Sequence, residues 1–394
     1  MKAVIALASS SGQLSGVSRH AINLALCLLT RPEITHVHLV SAPWQERLVQ
    51  DTIHRCDTRL HLHTAQIGNN ALSRNLWFYS QLPKLAAQLD ADVVHLAYPV
   101  PVRAGAFQCP IVVSLHDLYP YDIPENFGFP KVLFNRAVLQ QCLRGVDGIA
   151  CVSRTTLSRL KRLSPRLARK ATVVYNSVAP HTPPETEASL PEWRGLPFLL
   201  CVAQHRRNKN VLLVLRVFER LLRGGRIPAQ TQLFIVGIPG PESSVIQDFI
   251  ASSGLAHSVV LLNGIADSQL QWCYRNCSVV LAPSVLEGFG LPVAEAMLAG
   301  CRVVCSDIPA FRELGCRDCH FVPLGPNEVQ AFADAVCISL RQAVPEPALL
   351  PQFSPPIVAE AYMRLYHSLS PSPRANAGSI QPSFPSRGER QHLL

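Results

Sequence analysis

Short apolar runs alternate with amphipathic stretches from the first residues of the chain. The spacing predicts strands over residues 2–8, 36–40, 93–96, 111–115 and 148–152, with helices over 17–29, 72–89, 133–143 and 153–163 between them. Residues 173–176 (Val-Val-Tyr-Asn) read as the last strand of this half. Near-continuous apolar strands alternating with helices imply a parallel sheet covered on both faces. A stretch containing Pro180, Pro183, Pro184, Pro191 and Pro197 then reads as a linker. The alternation restarts with strands over 198–203, 232–236, 259–262, 279–282 and 302–305 and helices over 211–222, 243–252, 267–275 and 291–299. The fold class expected is therefore α/β, with two Rossmann-like doubly wound domains facing a cleft. Ligands bind such sheets at the carboxyl ends of the strands.

The length of 394 residues agrees with two domains. With 48% hydrophobic and 16% charged residues, most of the chain can bury a core. The exception is residues 370–394, rich in Ser, Pro, Arg and Gly, which are expected to be a disordered tail. No apolar run is long enough for a membrane span. Residues 3–8 are short for a signal sequence and run into a glycine-containing turn, so a first buried strand fits them better. The thirteen cysteines are scattered through apolar patterns and read as reduced thiols of a cytoplasmic protein. A lone CxxC at residues 316–319 has no second pair to make a zinc site. The net charge of +9 favours anionic partners, yet no nucleic-acid motif accompanies it, so no nucleic acid is expected.

The densest chemistry lies in residues 284–300, SVLEGFGLPVAEAMLAG. A strand ends near Ser284, a loop holds Glu287, Gly288, Phe289 and Gly290, and a helix opens at Leu291 with Pro292 in its first turn. The free N–H groups of that helix end can hold phosphate. Glycines let the backbone approach a ligand. Glu287 can accept hydrogen bonds from sugar hydroxyls, and Glu295 from a ribose diol. Gly12 and Gly16 follow the first strand in a second loop of this kind. Arg206, Arg207 and Lys209 form a cationic cluster after the first strand of the second half. His116 ends a strand and is followed by Asp117.

The pair Glu287–Glu295 and its surroundings resemble the Glu-x7-Glu signature of retaining enzymes in glycosyltransferase family 4. Other segments are similar to that family in the same order: VSLHDLYPYDIPENF, ACVSRTTLSRL, VVYNSV, CVAQHRRNKNVLLVLRVFERL, SDIPAFREL and FSPPIVAEAYMRLYHSL. The resemblance spans roughly residues 1–369. It implies the GT-B fold, with an acceptor domain at 1–178, a donor domain at 179–353 and a last helix, about 354–369, crossing back to the first domain. It implies transfer of a hexose, with mannose or rhamnose favoured, from a nucleotide-sugar donor to a glycan or lipid-linked saccharide. No cofactor or metal is expected. His116 would lie beside the transferred sugar, and Lys209 with one of Arg206 and Arg207 would hold the diphosphate. The usual glycine at position 203 is alanine here. Glu313 and Asp307 are further candidates for substrate contact. Seven basic residues between Arg154 and Lys170, with no acid among them, could draw the protein peripherally to an anionic membrane. Two other readings stay open: a nucleotide-sugar epimerase of similar fold, and an inactive scaffold of a glycan assembly complex.

Overall fold

The computed structural model describes residues 1–13, 15–53, 57–179, 190–315 and 319–369. The first half builds one parallel sheet from β1 (Lys2–Ala6), β2 (His36–Ser41), β3 (Leu60–Thr64), β4 (Val93–Leu96), β5 (Ile111–Leu115), β6 (Gly148–Cys151) and β7 (Ala171–Val173). Their order is β3-β2-β1-β4-β5-β6-β7. The second half builds another from β8 (Phe198–Val202), β9 (Gln232–Val236), β10 (Val259–Leu262), β11 (Val279–Ala282), β12 (Val303–Ser306) and β13 (Cys319–Val322), in the order β10-β9-β8-β11-β12-β13. Strand order reverses between β1 and β4 in one sheet and between β8 and β11 in the other. Those are the points where loops diverge and leave a crevice.

Most predicted elements appear within a residue or two of their expected limits. Three differ. The helix expected over 72–89 is two helices, Ala71–Ser80 and Leu82–Gln88, broken at Gln81 just before Pro83. The strand expected over 173–176 is three residues, Ala171–Val173, so Tyr175 and Asn176 belong to the connection between domains. Residues 60–64, Leu-His-Leu-His-Thr, were not expected as a strand: only Leu60 and Leu62 mark its apolar face. Histidines hold the other face, where His38 of β2 stacks on His61 at 5.0 Å and lies 5.1 Å from His63. Burial and the neighbouring imidazoles hold His38 neutral, pushed down to about 4. The predicted linker falls mostly on 180–189, and the tail on 370–394, both outside the described residues.

Helix Pro355–Ser368 follows the second sheet in sequence but packs on the first. Val358, Ala359, Tyr362, Met363, Leu365 and Tyr366 share one core with Ile5 of β1, Leu39 of β2 and Ile22 of helix Gly16–Leu28. A buried polar thread runs through this core. The Tyr366 hydroxyl meets His95 Nδ1 at 2.8 Å, and His95 Nε2 meets Ser114 Oγ at 2.8 Å. Ser114 Oγ also meets His20 Nε2 at 2.8 Å. Burial holds His95 down at about 3 and His20 well below its ordinary value, so the thread is neutral. Removing one member strands a buried partner. Tyr366→Phe should cost about 1–3 kcal/mol in urea unfolding. An unchanged midpoint would show that the thread contributes nothing.

Candidate active site

The loops that leave β1, β5, β8 and β11 meet across the cleft. After β11, Glu287 is buried and its Oε1 accepts from Lys209 Nζ at 2.6 Å and from Ser284 Oγ at 2.7 Å. Lys209 ends the short 3-10 turn Arg207–Lys209 that follows β8. The two sequence candidates thus form one ion pair. Arg206 is half-buried and its charge acts on Asp117 and Tyr119, whereas Arg207 is exposed. The open choice between the two arginines therefore tilts to Arg206 as the one facing the cleft.

Two glycines fix the path of the β11 loop. A Cβ on Gly288 would stand 1.7 Å from the His116 carbonyl oxygen, so only glycine allows this approach of one domain to the other. The Gly288 carbonyl accepts from Ser153 Oγ and, at 3.3 Å, from Thr156 Oγ1. Gly290 has φ +101° and precedes helix Leu291–Leu298, whose first turn carries no side-chain cap. Pro292 has no N–H and the Val293 N–H donates to the Gly290 carbonyl at 3.0 Å, so in this first turn the Leu291 N–H is left for an anion. Between the glycines, the Phe289 ring is buried against Tyr175 and Phe353 where the chain passes between domains. The Phe289 side chain is thus taken up by packing. Gly12 lies against Trp44, and Gly16 opens helix Gly16–Leu28 with free space around it.

His116 Nε2–H donates to the Ala97 carbonyl at 2.8 Å, and burial lowers its basicity. The neutral ring therefore keeps Nδ1 as an acceptor. Asp117 accepts from the Tyr119 N–H at 3.0 Å. Desolvation pushes its carboxyl up to about 6, with Glu287 adding to the rise and the Tyr119 N–H, Arg206 and Lys209 opposing it.

Sequence reasoning missed Arg19. In the fourth position of helix Gly16–Leu28, its side chain is 9% exposed and crosses the cleft. Its Nε lies 3.2 Å from Glu295 Oε1 and its Nη2 contacts Asp267. The Tyr274 hydroxyl donates to Glu295 Oε2 at 3.0 Å. A single arginine in an amphipathic helix gives no sequence signal of this kind. Glu313 and Asp307 have structural partners. The Glu313 carboxylate accepts from the backbone N–H groups of Arg154 and Thr155 at 2.6 and 3.1 Å, capping helix Arg154–Leu163 of the other domain. Asp307 pairs with Arg312. A cavity of about 360 Å³ lies between Arg154, Arg159 and Arg162 of that helix and residues 285–287 and 308–310; Arg159 also pairs with Asp122 at 3.0 Å.

The chain's one Asp-x-Asp spacing, Asp90-Ala91-Asp92, lies at the amino end of the first sheet, where both carboxylates bind Lys2. Among the described residues no cluster of three His, Cys, Asp or Glu side chains is placed to hold a metal. Ten described cysteines are free thiols, and Cys319 is disulfide-bonded. Residues 316–318 of the CxxC lie outside the described residues.

With this geometry in hand, comparison with known proteins is direct. The family model for glycosyltransferase family 4 matches residues 14–182, and that for glycosyl transferases group 1 matches 184–342. The chain belongs to this family of GT-B glycosyltransferases. It is 26% identical over 238 residues to O-antigen chain mannosyltransferase B of Escherichia coli, a match covering 58% of this chain and 61% of that one. It is 22% identical to O-antigen chain mannosyltransferase RfbU of Salmonella typhimurium, covering 57% and 59%. The match thus spans about six tenths of these relatives' lengths. The fold is that of Thermosynechococcus elongatus sucrose-phosphate synthase (TM-score 0.67, 16% identity, 93% and 94% covered). It is also that of Anabaena HepE, solved with UDP and glucose (0.60, 18%, 94% and 96%).

Two predictions follow from the carboxylates. Lys209→Ala leaves Glu287 buried without a cation, which typically costs about 3–5 kcal/mol, whereas Lys209→Met with Glu287→Gln should cost much less. Chemical denaturation of both variants checks this, and equal losses would contradict the pairing. Asp117 takes up a proton on folding between the ordinary value of 3.8 and about 6. Its contribution to stability is fully present below the lower figure and lost as pH rises through the upper one. The stability difference between wild type and Asp117→Asn should fall across that window in thermal melts, and a flat difference contradicts a raised carboxyl.

Proposed function

We propose that this protein is a retaining, metal-independent hexosyltransferase. It would move mannose, or a close relative such as rhamnose, from a nucleotide sugar to a glycan or lipid-linked saccharide in bacterial surface polysaccharide synthesis. One observation carries the reading: the Lys209–Glu287 pair, the uncapped helix start at Leu291 and Glu295 all belong to the second domain, and the loop that carries Glu287 meets His116 of the first domain through Gly288. The two O-antigen mannosyltransferase relatives support the sugar and the pathway class. The UDP in HepE supports a nucleotide donor.

The chemistry follows from these positions. The donor diphosphate sits on the helix end, against Arg206 and Lys209, and its charge grows as the glycosidic bond breaks. Cationic side chains do there what a divalent ion does elsewhere. Glu295 takes the ribose diol. Glu287 and the neutral His116 Nδ1 accept from hydroxyls of the sugar. The acceptor attacks from the face that the diphosphate leaves, and a departing phosphate oxygen takes its proton. Closed domains keep water from the donor.

No helix among the described residues is long and apolar enough to cross a membrane. The first domain nevertheless exposes Leu72, Leu76, Phe129, Leu133 and Phe134. These, with the basic residues of 154–170 that face outward, support peripheral contact with an anionic membrane from the cytoplasmic side.

Incubation with a panel of UDP- and GDP-sugars tests the reading. Release of nucleoside diphosphate that depends on acceptor and survives EDTA is expected. Sugar conversion without lasting release indicates an epimerase, and no turnover indicates a scaffold. Revival by magnesium after chelation would end the metal-free mechanism. Lys209→Ala should lower kcat by about 10²–10³, as does the loss of a contact that strengthens in the transition state. Its protein must first be shown to be folded, given the stranded Glu287. A near-wild-type kcat would remove Lys209 from the donor site.

A further inference from the structure

Arg19 belongs to the first domain, yet its partners, Glu295 and Asp267, belong to the second. The ribose-binding carboxylate assigned above is thus already held, before any nucleotide enters, by a cation delivered from the other side of the cleft. Burial lowers the Arg19 pKa, and the two carboxylates more than offset it, so the side chain is a fixed positive charge.

The count of lone pairs on Glu295 decides what this means. An ionised carboxylate offers about four acceptor positions. Arg19 Nε uses one on Oε1 and the Tyr274 hydroxyl one on Oε2. One position on each oxygen remains, which is the pattern a vicinal diol fills with two donated hydrogen bonds. A diol brings no charge. If it displaced Arg19, two carboxylates would stand in the cleft without their cation, a costly arrangement. Arg19 and the diol therefore act together on Glu295 rather than compete for it.

We infer that Arg19 is a positioning residue of the donor site: from the opposite domain it charge-compensates and orients Glu295, so that the carboxylate can bridge the two ribose hydroxyls only while the domains are closed. This rests on the donor-site reading of Glu295. Helix Gly16–Leu28 sets the reach, because Ser15 caps its end through the Ser18 N–H at 3.2 Å and so fixes where Arg19 leaves the helix. Asp267 sets the direction by holding the far side of the guanidinium. The ribose then reads closure directly, and nucleotide affinity is tied to the interdomain angle.

Titration calorimetry with UDP and GDP, each against its 2′-deoxy form, tests the inference. Wild type should prefer the ribose form of whichever diphosphate it binds. Arg19→Ala should lower affinity for that form about tenfold or more, while affinity for the 2′-deoxy form changes little, so the preference collapses. Arg19→Lys should restore part of it. If Arg19→Ala does not fold, Asp267→Asn, which leaves Arg19 and Glu295 in place, should weaken the ribose preference in the same direction. Retention of the full preference in Arg19→Ala, or in Asp267→Asn where that variant stands in for it, overturns the inference. So does tighter binding, which would make Arg19 a competitor. Equal loss for both forms also overturns it, because that points to phosphate contact or general damage. A wild type that binds neither diphosphate, or binds ribose and deoxyribose forms alike, instead overturns the reading of Glu295 on which the inference rests.

Discussion

Closing two domains over a polar cleft takes carboxylates out of water, and each then needs a cation within reach. Glu287, Glu295 and Asp267 meet this condition here. Lys209 serves Glu287 from the same domain, while Arg19 serves Glu295 and Asp267 from the other. Asp117 has only partial compensation from Arg206 and Lys209, and its carboxyl titrates high. The positions of the loops follow from these pairings as much as from the sheets beneath them. On the proposed reading, the same pairings hold the cations where a donor diphosphate would arrive.

The interface is also specified by shape. Gly288 touches the His116 carbonyl so closely that no side chain fits, and Glu313 reaches over to cap a helix of the partner domain. Both residues sit in segments that resemble family motifs. In Glu313 the family-like glutamate does structural work between domains rather than meeting solvent.

Alternating apolar and amphipathic runs made both sheets legible, because parallel strands buried on two faces carry an unmistakable density of Val, Ile and Leu. The strand Leu60–Thr64 escaped because one of its faces is made of histidines, whose stacking is invisible to a hydropathy pattern. Among the candidates, His116, Lys209 and Glu287 were legible because they lie in the segments that follow β5, β8 and β11, and Glu295 because it lies in the helix after the β11 loop, all in recognisable strings. Arg19 could not, since its meaning lies in a contact with residues some 250 positions away that only folding creates. Phe289 was readable as part of the motif, but its direction was not: the ring turns toward Tyr175 and Phe353.

Helix Pro355–Ser368 has a consequence for the order in which the protein is made. The first domain emerges from the ribosome first, but the buried face of its sheet is completed by Tyr362, Met363 and Tyr366. Until those residues appear, Ile5, Leu39 and the His95 thread lack their cover. The whole second domain, with its own local strand–helix units, is synthesised in the interval. The half that begins first therefore finishes last, its sheet open along one side until the last helix has been made.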